Sequence, residues 1–342
     1  MTTHLEVKET TFYEQLQNCP DLDLRFNQGK RLDLSFMLLC LTISLLRNRD
    51  GNLSSIHRSM ENKNEELCDF LGIPLQKVVS RSHLPKLLNK VNLACFEQLL
   101  FKNFKIELSE SEKEWFAGDG KELRGSIKRG DKRGDAIVQL VRHTDRNVLG
   151  QAFYNGKKES EKPCLQGLIE DTGAKNQKIT TDALHLSPST TEPVNQAGGI
   201  FIIGLKNNQP LLYAAMKKYA AQASVIDQRI TVEKGHGRVE RRSYFHYDIS
   251  GESFDQRWEK TAFKSLFKVQ RERFICTTKK ESNELDYYIS NGKKAKGEDY
   301  FQAIRNHWSV EVNNHVRDVT FKEDQLKTKK TLLARFSQDL GL

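Results

Sequence analysis

Three acids far apart in the chain, Asp119, Asp182 and Glu311, each sit in a local sequence suited to a divalent-metal phosphodiester site. Asp119 lies in Trp115-Phe116-Ala117-Gly118-Asp119-Gly120-Lys121, an apolar strand running into glycines. Asp182 lies in Lys178-Ile179-Thr180-Thr181-Asp182-Ala183-Leu184-His185, a β-branched strand ending in an acid. Glu311 sits in the segment from Arg305 to His315, which lacks glycine and proline and reads as helix. Two carboxylates at strand ends and one projected from a helix can converge on hard cations, because Mg2+ takes oxygen ligands and keeps positions open for phosphate and water. Chemistry of that kind cuts or joins nucleic acid. Taken singly, each acid has a plainer reading: Asp119-Gly120 as a turn, Asp182 as a helix cap, Glu311 as a solvated helix residue.

The elements that must position these acids form an α/β pattern. Up to about residue 108 apolar residues recur at three and four spacing in Leu34 to Leu46, Asn64 to Leu71, Leu84 to Val91 and Cys95 to Phe104, which predicts a helical N-terminal domain. Within it, short helices are expected from Leu53 and over Glu65 to Leu71, ending at Gly72, with a third from near Ser80. With Arg81, His83, Lys86 and Lys90 following, they suit either a DNA-binding helix-turn-helix or an ordinary bundle with a basic face. From Glu114 the period changes. Trp115 to Ala117, Ala136 to His143 and Val148 to Tyr154 read as strands, then Lys162 to Thr172 as helix, Lys178 to Thr181 as strand, Ser189 to Gln196 as helix and Ile200 to Leu205 as a buried strand. The order βββαβαβ describes a mixed sheet with helices on its faces, in which ligands gather beyond the carboxyl ends of neighbouring strands. After Lys206 a helix over Pro210 to Ala223 precedes strand-like runs at Val225 to Val232, Gly237 to Asp248, Ser265 to Thr277 and Asp286 to Ser290, an insertion that is largely β.

At 342 residues the chain has room for two domains, and Lys+Arg 54 against Asp+Glu 45, a formal +9, favours polyanionic partners. The six cysteines form no Cys-x-x-Cys pair or Cys/His grouping, which argues against structural zinc and for a reducing compartment. The acidic first thirty residues carry no signal peptide, and the run Leu34 to Leu46, flanked by Arg31, Asp33, Arg47 and Arg49, is too short to span a bilayer. Glycine and cationic residues gather in Lys234-Gly235-His236-Gly237-Arg238-Val239-Glu240-Arg241-Arg242, which reads equally as a phosphate contact or a solvated hairpin. The charge cluster Lys128 to Asp135 reads as a turn.

In order, these segments resemble the DDE transposases of bacterial insertion sequences, in particular the H-repeat-associated type. Asp119-Gly120-Lys121-Glu122-Leu123-Arg124-Gly125 is similar to that family's first-aspartate motif and Thr181-Asp182-Ala183-Leu184-His185 to its second. Gly198-Gly199, Gly204-Leu205-Lys206-Asn207-Asn208-Gln209 and Lys234-Gly235-His236-Gly237-Arg238 resemble the strand, loop and insertion motifs that follow. Arg305-Asn306-His307-Trp308, Glu311 and Arg317-Asp318-Val319-Thr320-Phe321-Lys322-Glu323-Asp324 resemble the final-glutamate block.

The resemblance implies an RNase H-like mixed-sheet core over residues 109–342, a β-rich insertion at about 210–295, and an all-helical accessory or DNA-binding domain over 1–108. It implies that Asp119, Asp182 and Glu311 are catalytic and hold Mg2+ or Mn2+, as two ions, for strand cleavage and strand transfer. Lys121, Arg124, Lys206, His236, Arg238, Arg241, Arg242 and His307 are the residues it implies on DNA. The implied partners are double-stranded DNA, as terminal inverted repeats and target, and a second copy of the chain in a DNA-bound homodimer, in the bacterial cytoplasm and at the nucleoid, with no membrane. His307 and Asp318 stand where the wider signature has arginine and lysine, a trait of the subgroup for His307-Trp308. Related chains continue further than Thr331 to Leu342, so a DNA-binding remnant without catalysis is the alternative. The spacing by four of His307, Glu311 and His315 predicts one helix face turned toward the aspartates.

Overall fold

The computed structural model describes residues 10–26, 28, 30–47, 53–103, 108, 112–127, 130–156, 160–293 and 299–319. The chain divides into two compact units, one taking in the described residues within 1–107, 122–135 and 314–342, the other those within 108–121 and 136–313.

The helical part of the first unit runs α1 (Phe12–Gln17), α2 (Leu34–Arg47), α3 (Leu53–Leu71), α4 (Leu84–Leu88) and α5 (Leu93–Asn103). A capping box of Thr11 and Glu14 starts α1. Because α2 is apolar nearly all round, it is buried, with Phe36, Leu38, Cys40 and Leu41 packed against Ile56 and Met60 of α3 and Phe96 of α5. No helix in the described residues is long and apolar enough to cross a membrane. The two short helices expected between Leu53 and Leu71 are one helix of 19 residues. The polar stretch Glu61 to Glu66 is its solvent face rather than a break, since it contains neither glycine nor proline and Ile56, Met60 and Cys68 stay on one buried stripe. Gly72, at φ +64°, ends α3 through bonds from its own N–H and that of Ile73 to Asp69 and Cys68. Residues 73–80 carry no helix, so the tight helix-turn-helix spacing is not formed there.

The second unit is α/β. Its strands are β1 (Trp115–Glu122), β2 (Asp135–Arg142), β3 (Val148–Asn155), β4 (Lys178–Thr181), β5 (Ile200–Leu205), β6 (Asp227–Gly235), β7 (Arg238–Asp248), β8 (Ser265–Ile275) and β9 (Lys280–Ser290). Its helices are α6 (Glu161–Asp171), α7 (Pro188–Gln196), α8 (Pro210–Gln222), α9 (Tyr300–Asn306) and, as far as Asn313, α10 (Trp308–Val319). One sheet joins all nine strands in the order β3-β2-β1-β4-β5-β9-β8-β7-β6. The β3-β2-β1-β4-β5 half, with β1, β4 and β5 parallel, is a mixed-sheet core in the βββαβαβ order expected from the sequence. Alternation sorts its side chains. Ile179, Phe201 and Ile203 meet Leu165 of α6, Val194 of α7 and Leu212 of α8 on one face. On the other, Ile202 meets Phe301 and Ile304 of α9, while Ala117 and Val141 meet Val310 of α10.

The β-rich insertion extends this sheet rather than forming a separate layer, because β9 pairs antiparallel with β5 and β8, β7 and β6 follow in antiparallel register. Strand β9 starts at Lys280, six residues before the expected Asp286. Residues 280–285 are exposed, so no apolar alternation marks them. The β6–β7 turn is His236-Gly237, both with positive φ, as a two-residue hairpin with right-handed strand twist requires. The single helix expected around Glu311 is two. The ladder of bonds lapses at His307, which keeps helical angles (φ −52°, ψ −30°) between α9 and α10.

Candidate active site

Register brings the two aspartates together. Gly118 pairs with Thr181 across β1 and β4, so Asp119 and Asp182 are the next residues on neighbouring parallel strands. Strand β4 stops there, while β1 continues to Glu122, so Asp119 lies within its strand rather than at the end expected for it. Asp182 caps the 3-10 turn Ala183–His185 by accepting the Leu184 N–H at 2.9 Å. That turn folds close over β5, where a side chain at Gly204 would meet the Ala183 backbone nitrogen at 3.0 Å. By alternation Asp119 shares a face with Ala117, the face covered by Val310 of α10. Glu311 is the next residue of that helix, in its first turn.

The electrostatics of this corner are unbalanced. Burial, then the neighbouring Glu161 and Asp182 carboxylates, push Asp119 up to about 7. Burial also raises Glu311, opposed by the Arg271 guanidinium. Asp182 and Glu311 line one cavity of about 310 Å3, walled by Lys206, Arg242, Arg271, Arg305, Tyr288 and His307. Among the described residues no group of three His, Cys, Asp or Glu side chains stands close enough to hold an ion. The donor chemistry at the paired Asp119 and Asp182, two adjacent carboxylates, is the kind a hard divalent cation takes, and Glu311 lines the same cavity as Asp182.

Two histidines, His143 buried and His307 half-buried, support the floor of the site. The Thr180 hydroxyl lies 3.0 Å from His143 Nε2 and 3.0 Å from His307 Nδ1. Burial lowers His143 to about 3 and His307 to about 4, so both rings are neutral at ordinary pH. His307 therefore sits in the cavity wall with its Nδ1 engaged by Thr180. His315, two turns further on, is exposed.

The remaining candidates are dispersed. Lys206 is exposed at the cavity edge, Lys121 is half-buried in β1, Arg124 is exposed in the 3-10 turn Arg124–Ser126, and His236 is exposed in its hairpin turn. Arg238, Arg241 and Arg242 do not form one cationic group. Arg242 is buried and paired with Glu240 and, at 2.9 Å, with Glu233, and Arg238 lies 3.5 Å from Glu240. Arg241 points to the opposite face and pairs with Glu272 at 3.3 Å. Residues 320–324 of the final block, residues 331–342 and the Lys128-Arg129 start of the charge cluster lie outside the described residues.

Three residues that had been given no role now adjoin the acids. Glu161 precedes the helix expected from Lys162, His185 belongs to the second-aspartate motif, and Arg271 falls within the strand-like run Ser265 to Thr277; the sequence marks none of the three as a site residue. For His185, its spacing three after Asp182 was a usable signal. For Glu161 and Arg271 no local pattern existed, because their proximity to the acids is set by packing and strand register.

No protein-family model matches the chain. Curated relatives do. The chain is 28% identical over 286 residues to "Putative protein YbfL" of Escherichia coli K12, covering 79% of this chain and 74% of that one. It is 27% identical over 318 residues to "H repeat-associated putative transposase YhhI" of the same strain, covering 89% and 80%. To "Putative transposase YncI" of Escherichia coli O157:H7 it is 26% identical over 271 residues, covering 76% and 66%. The chain is thus homologous, over most of its length, to proteins named H repeat-associated putative transposases.

Proposed function

We propose that the chain is a DNA transposase that binds the terminal inverted repeats of its element and carries out metal-dependent strand cleavage and transfer. The observation that carries this reading is the register that sets Asp119 beside Asp182 on paired parallel strands, with Glu311 on the same cavity as Asp182. Relatives named as transposases over most of their length support it. In this reading Asp119 and Asp182 would hold one Mg2+ or Mn2+, and Glu311 would hold a second. Such ions supply charge neutralisation and an activated oxygen nucleophile, so no dedicated histidine base is needed. Asp182 is kept in place by the Leu184 N–H, and Lys206 at the cavity edge meets the incoming phosphodiester. Neutral His307 lines the wall without adding repulsion toward a cation. A second copy of the chain is expected on the DNA, since two element ends are joined.

The test is incubation of the full chain with Mn2+ or Mg2+ and duplex DNA carrying the repeats that flank its coding region, read for nicks at the junction. Nicks that require metal and the repeat sequence support the reading. Repeat-specific binding without nicks at any metal concentration would leave a DNA-binding remnant instead.

A further inference from the structure

Glu161 is the first residue of α6, a position where an acid ordinarily favours the helix dipole. Its carboxylate is turned elsewhere. Oε1 lies 2.9 Å from Nε2 of the fully buried His185, and Oε2 is 3.4 Å from the Tyr154 hydroxyl. The same carboxylate occupies the space above Gly120, so that any side chain at Gly120 would collide with it. His185 in turn stands 3.9 Å from the Asp182 carboxylate. Among the described residues the His185 Nδ1 atom has no partner, while acceptors lie near Nε2, which places the ring hydrogen on Nε2 and makes it the donor to Glu161.

The carboxylate is thus brought against the backbone beside Asp119, a second acid next to a corner that already holds Asp182. Helix capping does not explain that placement, since a carboxylate serving its own helix would turn back to the first-turn N–H groups. We propose that Glu161 is a positioning residue of the metal site: it anchors His185, and through it the Asp182 turn, against the Asp119-Gly120 segment of β1. The inference rests on the metal-site reading above. In metal centres, carboxylates one step behind the ligands hold them in orientation, and removing them weakens affinity by about 10- to 100-fold.

The role depends on reach, and two conservative variants separate reach from charge. Glu161→Gln keeps the length and an acceptor for the His185 N–H. Glu161→Asp keeps the charge and the helix-start preference but falls a methylene short. Mn2+ affinity, measured on the full chain by electron paramagnetic resonance of the free ion, is expected to stay within about threefold of wild type in Glu161→Gln and to fall about 10-fold or more in Glu161→Asp and Glu161→Ala. The reverse order, Asp retaining affinity and Gln losing it, assigns Glu161 to charge alone and overturns the proposal. So does unchanged affinity in all three while Asp119→Ala loses it. Mn2+ binding that Asp119→Ala leaves intact overturns the underlying metal site itself, which is a distinguishable result. Should the alanine variant not fold, the Gln and Asp pair decides.

Discussion

The two halves of the nine-stranded sheet treat charge in opposite ways. In the antiparallel arm, β6 to β9, acids are matched to arginines across the strands: Glu240 faces Arg273, Arg271 faces Glu284 and Arg241 faces Glu272. Buried Glu240 lies among Arg238, Arg242, Arg271 and Arg273, and Glu233 is held low chiefly by its hydrogen bond with Arg242. In the parallel core the reverse holds, with Asp119, Asp182 and Glu161 brought together and Asp119 pushed up to about 7. A network that neutralises itself is sufficient for folding, whereas like charges gathered without a cation leave work for a ligand to do. The contrast sets a self-neutralised cluster of the arm against the acids of the core, on one sheet and around one cavity.

Breaking the core side of this contrast has the largest expected effect. Asp119→Ala and Asp182→Ala are each expected to reduce metal-dependent nicking by roughly 10^3-fold or more, the several kcal/mol a metal-held charge contributes, with DNA affinity retained in a filter-binding assay. Breaking the arm acts on stability. Glu240→Ala leaves Arg242 buried without its nearest carboxylate, which is expected to cost about 3–5 kcal/mol in urea unfolding.

A smaller effect comes from the neutral histidines beneath the acids. His143 and His307 are lowered in the folded state to about 3 and about 4 from 6.5. The unfolded chain therefore binds more protons between those values and 6.5, so their contribution is full above pH 6.5 and is lost as pH falls toward 4. Unfolding free energy should drop by on the order of 2 kcal/mol per histidine over that window, and by less in His143→Gln. The smallest effect has the opposite sign. Asp119 is raised to about 7 from 3.8, so its folded-state burden is absent below pH 3.8 and grows as pH rises through 7. Asp119→Asn should raise stability at pH 8 by about 1–2 kcal/mol and leave it unchanged near pH 4, by thermal melts in metal-free buffer.

Much of the core was legible because β-branched runs, glycines and short loops specify strands locally: Lys178 to Thr181 and Ile200 to Leu205 lie where the sequence predicts them. The polar start of β9 was not, since a solvated edge of the arm carries no apolar alternation. Nor was the continuity of α3, where a polar face mimicked a break. At the site, acid type and glycine context marked Asp119 and Asp182, and register then explains why they meet. Glu161 illustrates what sequence withholds. Its proximity to Gly120 and His185 arises from the packing of α6 on the sheet, which no neighbouring residue announces.

The contrast between the two halves is tested most directly by nicking rates at saturating Mn2+ for Asp119→Asn and Glu240→Gln, each normalised to its folded fraction. The account predicts that Asp119→Asn folds at least as well as wild type and does not nick, while Glu240→Gln is less stable and nicks within a few-fold of wild type. Nicking by Asp119→Asn at the wild-type rate, or its loss only in Glu240→Gln, would contradict it.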